Sequence, residues 1–138
     1  LWVDFAEELG VNRKEVADAN LLQQTKVAVE TIMNLCKKST AEGAAALYAY
    51  ESQVPEISAE KINGLEEFYG INSEKALRFF KVHMEADKKH RAVWEALSKK
   101  HSDDIELTEK AALETSNALW KMFDAMHDSF VPEELKLC

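Results

Sequence analysis

Apolar residues recur at the spacing of an α-helix almost from end to end of this chain. Trp2, Phe5, Ala6 and Leu9 form a first stripe that stops at Gly10, a residue suited to ending a helix. Asn12 with Glu15 reads as a capping box opening a short segment to Ala19. Val29, Ile32, Met33 and Cys36 then mark one face of a helix from about Leu21 to Lys38. Thr40 is expected to cap the next, which carries Ala44, Leu47, Tyr48 and Glu51. Pro55 kinks or restarts it, since proline lacks the N–H and crowds the preceding turn; the continuation from Ser58 ends at Gly70.

Ser73 opens a long helix to about Lys100, and a last one runs from about Asp104 to Phe130, with Pro132 after it. The last helix presents Ala112, Leu119, Trp120, Phe123 and Met126. Only four glycines and two prolines interrupt 138 residues, too few for a sheet with many hairpins. The expected fold is an all-α bundle, with 1–138 as a single helical domain.

Composition narrows the partners. Seventeen basic against 25 acidic side chains leave a formal charge of −8, which repels a phosphate backbone and makes nucleic acid an unsuitable partner. No apolar run reaches the roughly 18–20 residues that span a bilayer, so no membrane role is expected. Cys36 and Cys138 form neither a disulfide framework nor a zinc knuckle, and a cytoplasmic setting is the simplest.

The informative residues are those that break the apolar stripes. His83, Asp87 and His90 stand at i, i+4 and i+7, on the face that Phe79, Phe80 and Trp94 turn toward the core. Burying two imidazoles and a carboxylate costs several kcal/mol unless each is paired or coordinated. Glu51 repeats the anomaly on another helix. Two histidines with a carboxylate suit non-haem Fe(II), and a further carboxylate can bridge a second metal. No cysteine lies near these positions, which disfavours structural zinc and iron–sulfur clusters.

Each residue also has a plainer reading. A lone histidine on an apolar face is usually a hydrogen-bonded core residue, and an His–Asp pair one turn apart can be a simple ion pair. His127 fits a core or supporting role, and His101 a solvated helix end. Glu66-Glu67 and Asp103-Asp104 read as solvated charges, and Trp2, Trp94 and Trp120 as core. Lys61, beside Ile62, is most simply solvated, although a lysine near a metal can act as nucleophile or proton donor.

The run Leu47-Tyr48-Ala49-Tyr50-Glu51-Ser52-Gln53-Val54-Pro55-Glu56-Ile57, followed by Glu60-Lys61-Ile62-Asn63-Gly64-Leu65 and by His83-x3-Asp87-x2-His90, resembles the haem-oxygenase-like diiron proteins. Within them it is closest to the branch named for the Chlamydia protein associating with death domains, related to TenA and PqqC. The opening Leu1-Trp2-Val3-Asp4-Phe5-Ala6-Glu7-Glu8-Leu9-Gly10 resembles that branch as well.

The resemblance implies that Glu51, His83, Asp87 and His90 hold iron, as two ions or as one iron with one manganese, and that O2 is the co-substrate. It implies para-aminobenzoate for folate made from a tyrosine of the protein itself, with Lys61 functional and Tyr50 a nearby aromatic in the radical chemistry. In the family a Glu and a His on an earlier helix complete the ligand set. The chain is therefore expected to be the C-terminal part of a longer domain and to hold two metals poorly alone. A homodimer is the family expectation; a death-domain partner has no motif here to support it. The competing readings are a related metal oxidase for an external small substrate, a non-catalytic interaction module, and cofactorless chemistry of the PqqC or TenA kind. The intact His/Asp/His/Glu set argues against the last.

Overall fold

A computed structural model describes residues 1–101 and 105–136. It contains seven α-helices, and no strand occurs among the described residues: α1 (Trp2–Glu8), α2 (Arg13–Ala17), α3 (Gln23–Lys38), α4 (Thr40–Glu51), α5 (Val54–Tyr69), α6 (Glu74–His101) and α7 (Ile105–Phe130). A 3-10 turn, Glu133–Leu135, follows. The all-α expectation holds. Asp103, Asp104 and Cys138 lie outside the described residues.

The local signals act as their chemistry dictates. Asn12 Oδ1 accepts from the Glu15 amide and Glu15 Oε2 accepts from the Asn12 amide, both at 2.9 Å, closing the capping box. Gly70 takes φ +65°, and the amide of Ile71 donates to the Leu65 carbonyl at 2.9 Å, the left-handed ending that glycine favours. Ser73 caps α6 by accepting from the Ala76 amide. The α3–α4 junction departs from expectation: Ser39, not Thr40, accepts from the Glu42 amide. Its extended backbone suits a cap, whereas Thr40 is already helical.

The helices fall into two compact units, one of Leu1–Asn20 with Glu51–Ala92, the other of Leu21–Tyr50 and the chain from Val93 onward. In the first, Phe5, Ala76 and Phe80 are buried, with Ile62, Leu65, Ile71 and Phe79 packed against them. Charges hold α1 in place. Glu7 binds Arg13 at 2.8 Å and Lys75 at 3.3 Å; Glu8 accepts from Ser73 Oγ at 2.6 Å and pairs with Lys75. Hydrogen bonds from Arg13 and then Lys75 hold the Glu7 carboxyl below its ordinary range, and those from Ser73 and then Lys75 do the same for Glu8.

In the second unit Leu35, Ala45, Ala46 and Ala111 are buried together, and α3 packs along α7. Gly43 allows α4 to approach closely: a Cβ there would meet the Cα of Cys36 at 2.9 Å. The expected stripes of α3 and α7 need correction. Val29 and Met33 are half-exposed and Cys36 is exposed, while Ala28 and Leu35 are buried. Trp120 and Phe123 face outward, and Thr108, Ala111 and Thr115 line the buried side of α7. Small residues let these helices approach, so the buried line runs beside the heaviest apolar residues rather than through them. Trp2 is also half-exposed, against its expected core role.

Candidate metal centre

The break between α4 and α5 sets the first ligand position. Ser52 and Gln53 form a turn, Pro55 occupies the first turn of α5, and Glu51 is left as the last residue of α4. Its side chain is largely buried, at 17% exposure. Opposite it, α6 presents Asp87, buried, and His90, half-exposed, one turn apart. The Nδ1 of His90 lies 2.9 Å from Asp87 Oδ1 and 3.3 Å from Glu51 Oε2. One donor atom from each of Glu51, Asp87 and His90 falls within 4.8 Å of the others.

Two carboxylates converging on one imidazole nitrogen, one of them buried, make a site where a positive charge is stabilised. Oxygen and imidazole donors without sulfur suit iron or manganese, so the donor chemistry fits.

His83 is placed differently. Its Nδ1–H donates to the carbonyl of Phe79 at 2.7 Å, and its ring lies against the Phe79 ring at 4.2 Å between centroids. It falls outside the three-residue group. The backbone bond fixes the tautomer and leaves Nε2 with the lone pair a metal requires.

Arg91 is a supporting residue that the sequence did not single out. It donates from Nη1 to the Ser52 carbonyl at 3.0 Å and pairs with Glu56 at 3.4 Å, tying the turn after Glu51 to the residue after His90. Its only sequence signal is its position next to His90.

Lys61 is exposed on α5. It lines, with Glu60, a cavity of about 580 Å³ whose walls are otherwise apolar, among them Trp2, Phe5, Leu65 and Phe80. Tyr50 is half-exposed, directly before Glu51. His127 sits at the exposed end of α7, 3.7 Å from Asp128, which removes it from the core.

Residues 1–123 match the model of a family described as an iron-containing redox enzyme. The chain belongs to this family. Iron is thus the metal that membership attaches to the donor set. Among the relatives of this chain is the 4-aminobenzoate synthase of Nitrosomonas europaea, 37% identical over 134 residues, covering 94% of this chain and 54% of that protein. The 4-aminobenzoate synthase of Chlamydia trachomatis is 37% identical over 133 residues, covering 93% and 56%. A more distant relative, the pyrroloquinoline-quinone synthase of Rhizobium rhizogenes, is 28% identical over 134 residues, covering 94% and 54%. The chain spans little more than half the length of these relatives. No helix among its described residues is long and apolar enough to cross a membrane.

Proposed function

We propose that this chain is the metal-binding portion of an oxygenase that makes 4-aminobenzoate for folate, using O2 and a tyrosine of the protein itself. The observation that carries this reading is the convergence of Glu51, Asp87 and His90 within 4.8 Å in a member of an iron-containing redox family. Relatives named 4-aminobenzoate synthase, 34–37% identical over most of this chain, support it. Iron supplies one-electron chemistry with O2 that side chains alone lack.

In this reading Glu51, Asp87, His90 and His83 hold iron, as two ions or one iron with one manganese. Asp87 contributes buried negative charge, and the Phe79 carbonyl keeps His83 in the tautomer that leaves the Nε2 lone pair available to a metal. Lys61 donates nitrogen or a proton from the edge of the largely apolar cavity. Tyr50 is an aromatic beside the Glu51 ligand. A cytoplasmic homodimer belongs to the same reading.

The test uses the protein expressed from its complete reading frame. His83→Ala and Asp87→Ala are expected to abolish iron binding and 4-aminobenzoate formation. Undiminished iron by metal analysis would overturn the ligand assignment. The cavity beside Lys61 favours a second reading, an oxidase for an external small substrate. Product beyond one event per chain would establish that reading in place of the self-consuming one.

A further inference from the structure

Three rings form a continuous path in the first unit. Trp2 meets Phe79 edge-on at 4.9 Å between centroids, and Phe79 lies against His83 at 4.2 Å. Phe79 also meets Phe80 at 5.3 Å, and Phe80 meets Phe5 at 5.2 Å, so the bridging ring is fixed by its neighbours. The outer end is half-exposed: Trp2 retains 52% of its surface. One end of the path is an oxidisable indole at the surface, and the other is an imidazole read above as a metal ligand.

We propose that Trp2, Phe79 and His83 form a one-electron relay that discharges an over-oxidised iron centre when no substrate is ready. The proposal rests on the reading of His83 as an iron ligand. The Trp2 indole loses one electron and releases its Nε1 proton to water. The electron crosses the Phe79 and His83 rings and lowers the O2-oxidised iron by one oxidation state. Phe79 is the medium and is not itself oxidised; phenyl rings are far harder to oxidise than indole. An external one-electron donor, with a proton from water, restores Trp2. Without that donor the indolyl radical combines with O2 to form a C–O bond, a second Fe(II) and a proton from water reduce the resulting peroxyl radical to the hydroperoxide, and oxygenated tryptophan remains as a trace.

The molecule carries its own control. Trp120 is more exposed than Trp2, at 68%, but it belongs to α7 in the other unit. Trp120 therefore reports oxidants that have spread through solution, whereas the relay marks Trp2.

The experiment loads the complete protein with Fe(II) anaerobically and exposes it to O2 without an external reductant. Peptide mass spectrometry then scores oxygenated Trp2 and Trp120 per iron bound. Trp2 is expected to exceed Trp120 several-fold. Phe79→Leu, which keeps apolar bulk but removes the ring, is expected to reduce the Trp2 signal several-fold per iron bound. Equal marking of the two tryptophans, an unmarked Trp2 despite O2 consumption, or indifference to Phe79→Leu would overturn the relay alone. Absence of bound iron would overturn the metal reading and the relay together.

Discussion

Arg91 donates from Nη1 to the backbone carbonyl of Ser52 at 3.0 Å. That carbonyl follows Glu51 at the end of α4, where helical carbonyls lose their intrahelical partners. The bond satisfies it from α6, one residue beyond His90, and so fixes how the Glu51 carboxylate meets Asp87 and His90. Arg91→Ala is expected to lower iron affinity about 10–100-fold while helix content stays unchanged, the usual cost of losing a residue that orients a ligand. Arg91→Lys restores it only in part, because the compact ammonium on a different stem does not reproduce the position from which Nη1 serves both Ser52 and Glu56. Iron titration with circular dichroism on the same samples reads both quantities.

Asp87 is the most buried of the three donors, and its side chain is 5% exposed. Iron that binds only the folded chain stabilises it by mass action, by about 2.7 kcal/mol at a hundred times the dissociation constant. Thermal unfolding of the complete protein is therefore expected to shift upward on adding Fe(II) and to fall back on chelation. Asp87→Asn keeps the side-chain volume and removes the charge, so the shift is expected to vanish. An undiminished shift in the variant would remove Asp87 from the ligand set.

Much of this was legible in the sequence, and the limits have physical causes. Capping residues act locally, so Asn12, Ser73 and Gly70 revealed their helix ends without knowledge of the fold. Asp87 and Glu51 stood out because a charge in an apolar stripe demands a partner, and that demand survives translation into three dimensions. The buried faces of α3 and α7 were harder. Hydrophobic bulk pointed to Val29, Met33, Trp120 and Phe123, but close helix approach selects small residues such as Ala28, Ala111 and Thr115. Arg91 and the Phe79 carbonyl were hidden for another reason: one reaches a backbone atom 39 positions away, and the other is itself backbone.

The charge network at α1 makes stability depend on pH at both extremes. Glu7 and Glu8 titrate below their ordinary range when folded, so their contribution is full above that range and fades as acid protonates them. Arg13 and Lys75 are raised, chiefly by the hydrogen bonds they donate to Glu7, so theirs is full below the ordinary lysine range and fades in strong alkali. Hydrogen-exchange protection in α1 and α2, corrected for the intrinsic pH dependence of amide exchange, is expected to be flat across neutral pH and to fall below about pH 4, near the reference carboxylate values. Added salt should reproduce part of the acid effect at neutral pH, because these pairs are solvent-accessible. Salt-independent exchange at neutral pH would contradict an electrostatic anchor for α1.

Thr115 is fully buried on α7, and its Oγ1 has no hydrogen-bond partner among the described residues. A buried hydroxyl without a partner keeps its desolvation penalty, about 1–3 kcal/mol. Thr115→Val replaces the hydroxyl by a methyl of nearly the same shape and retains β-branching, so it is expected to raise stability by about 1 kcal/mol. Gly43→Ala provides the opposite sign in the same unit: its new methyl would meet the Cys36 backbone at 2.9 Å, and backbone yields poorly. Overpacking of this kind costs about 1–3 kcal/mol. Chemical denaturation of the two variants beside the parent chain separates the effects, since neither residue touches the metal donors. A Thr115→Val variant less stable than the parent would show that the hydroxyl is satisfied after all, by a water held inside the helix pair.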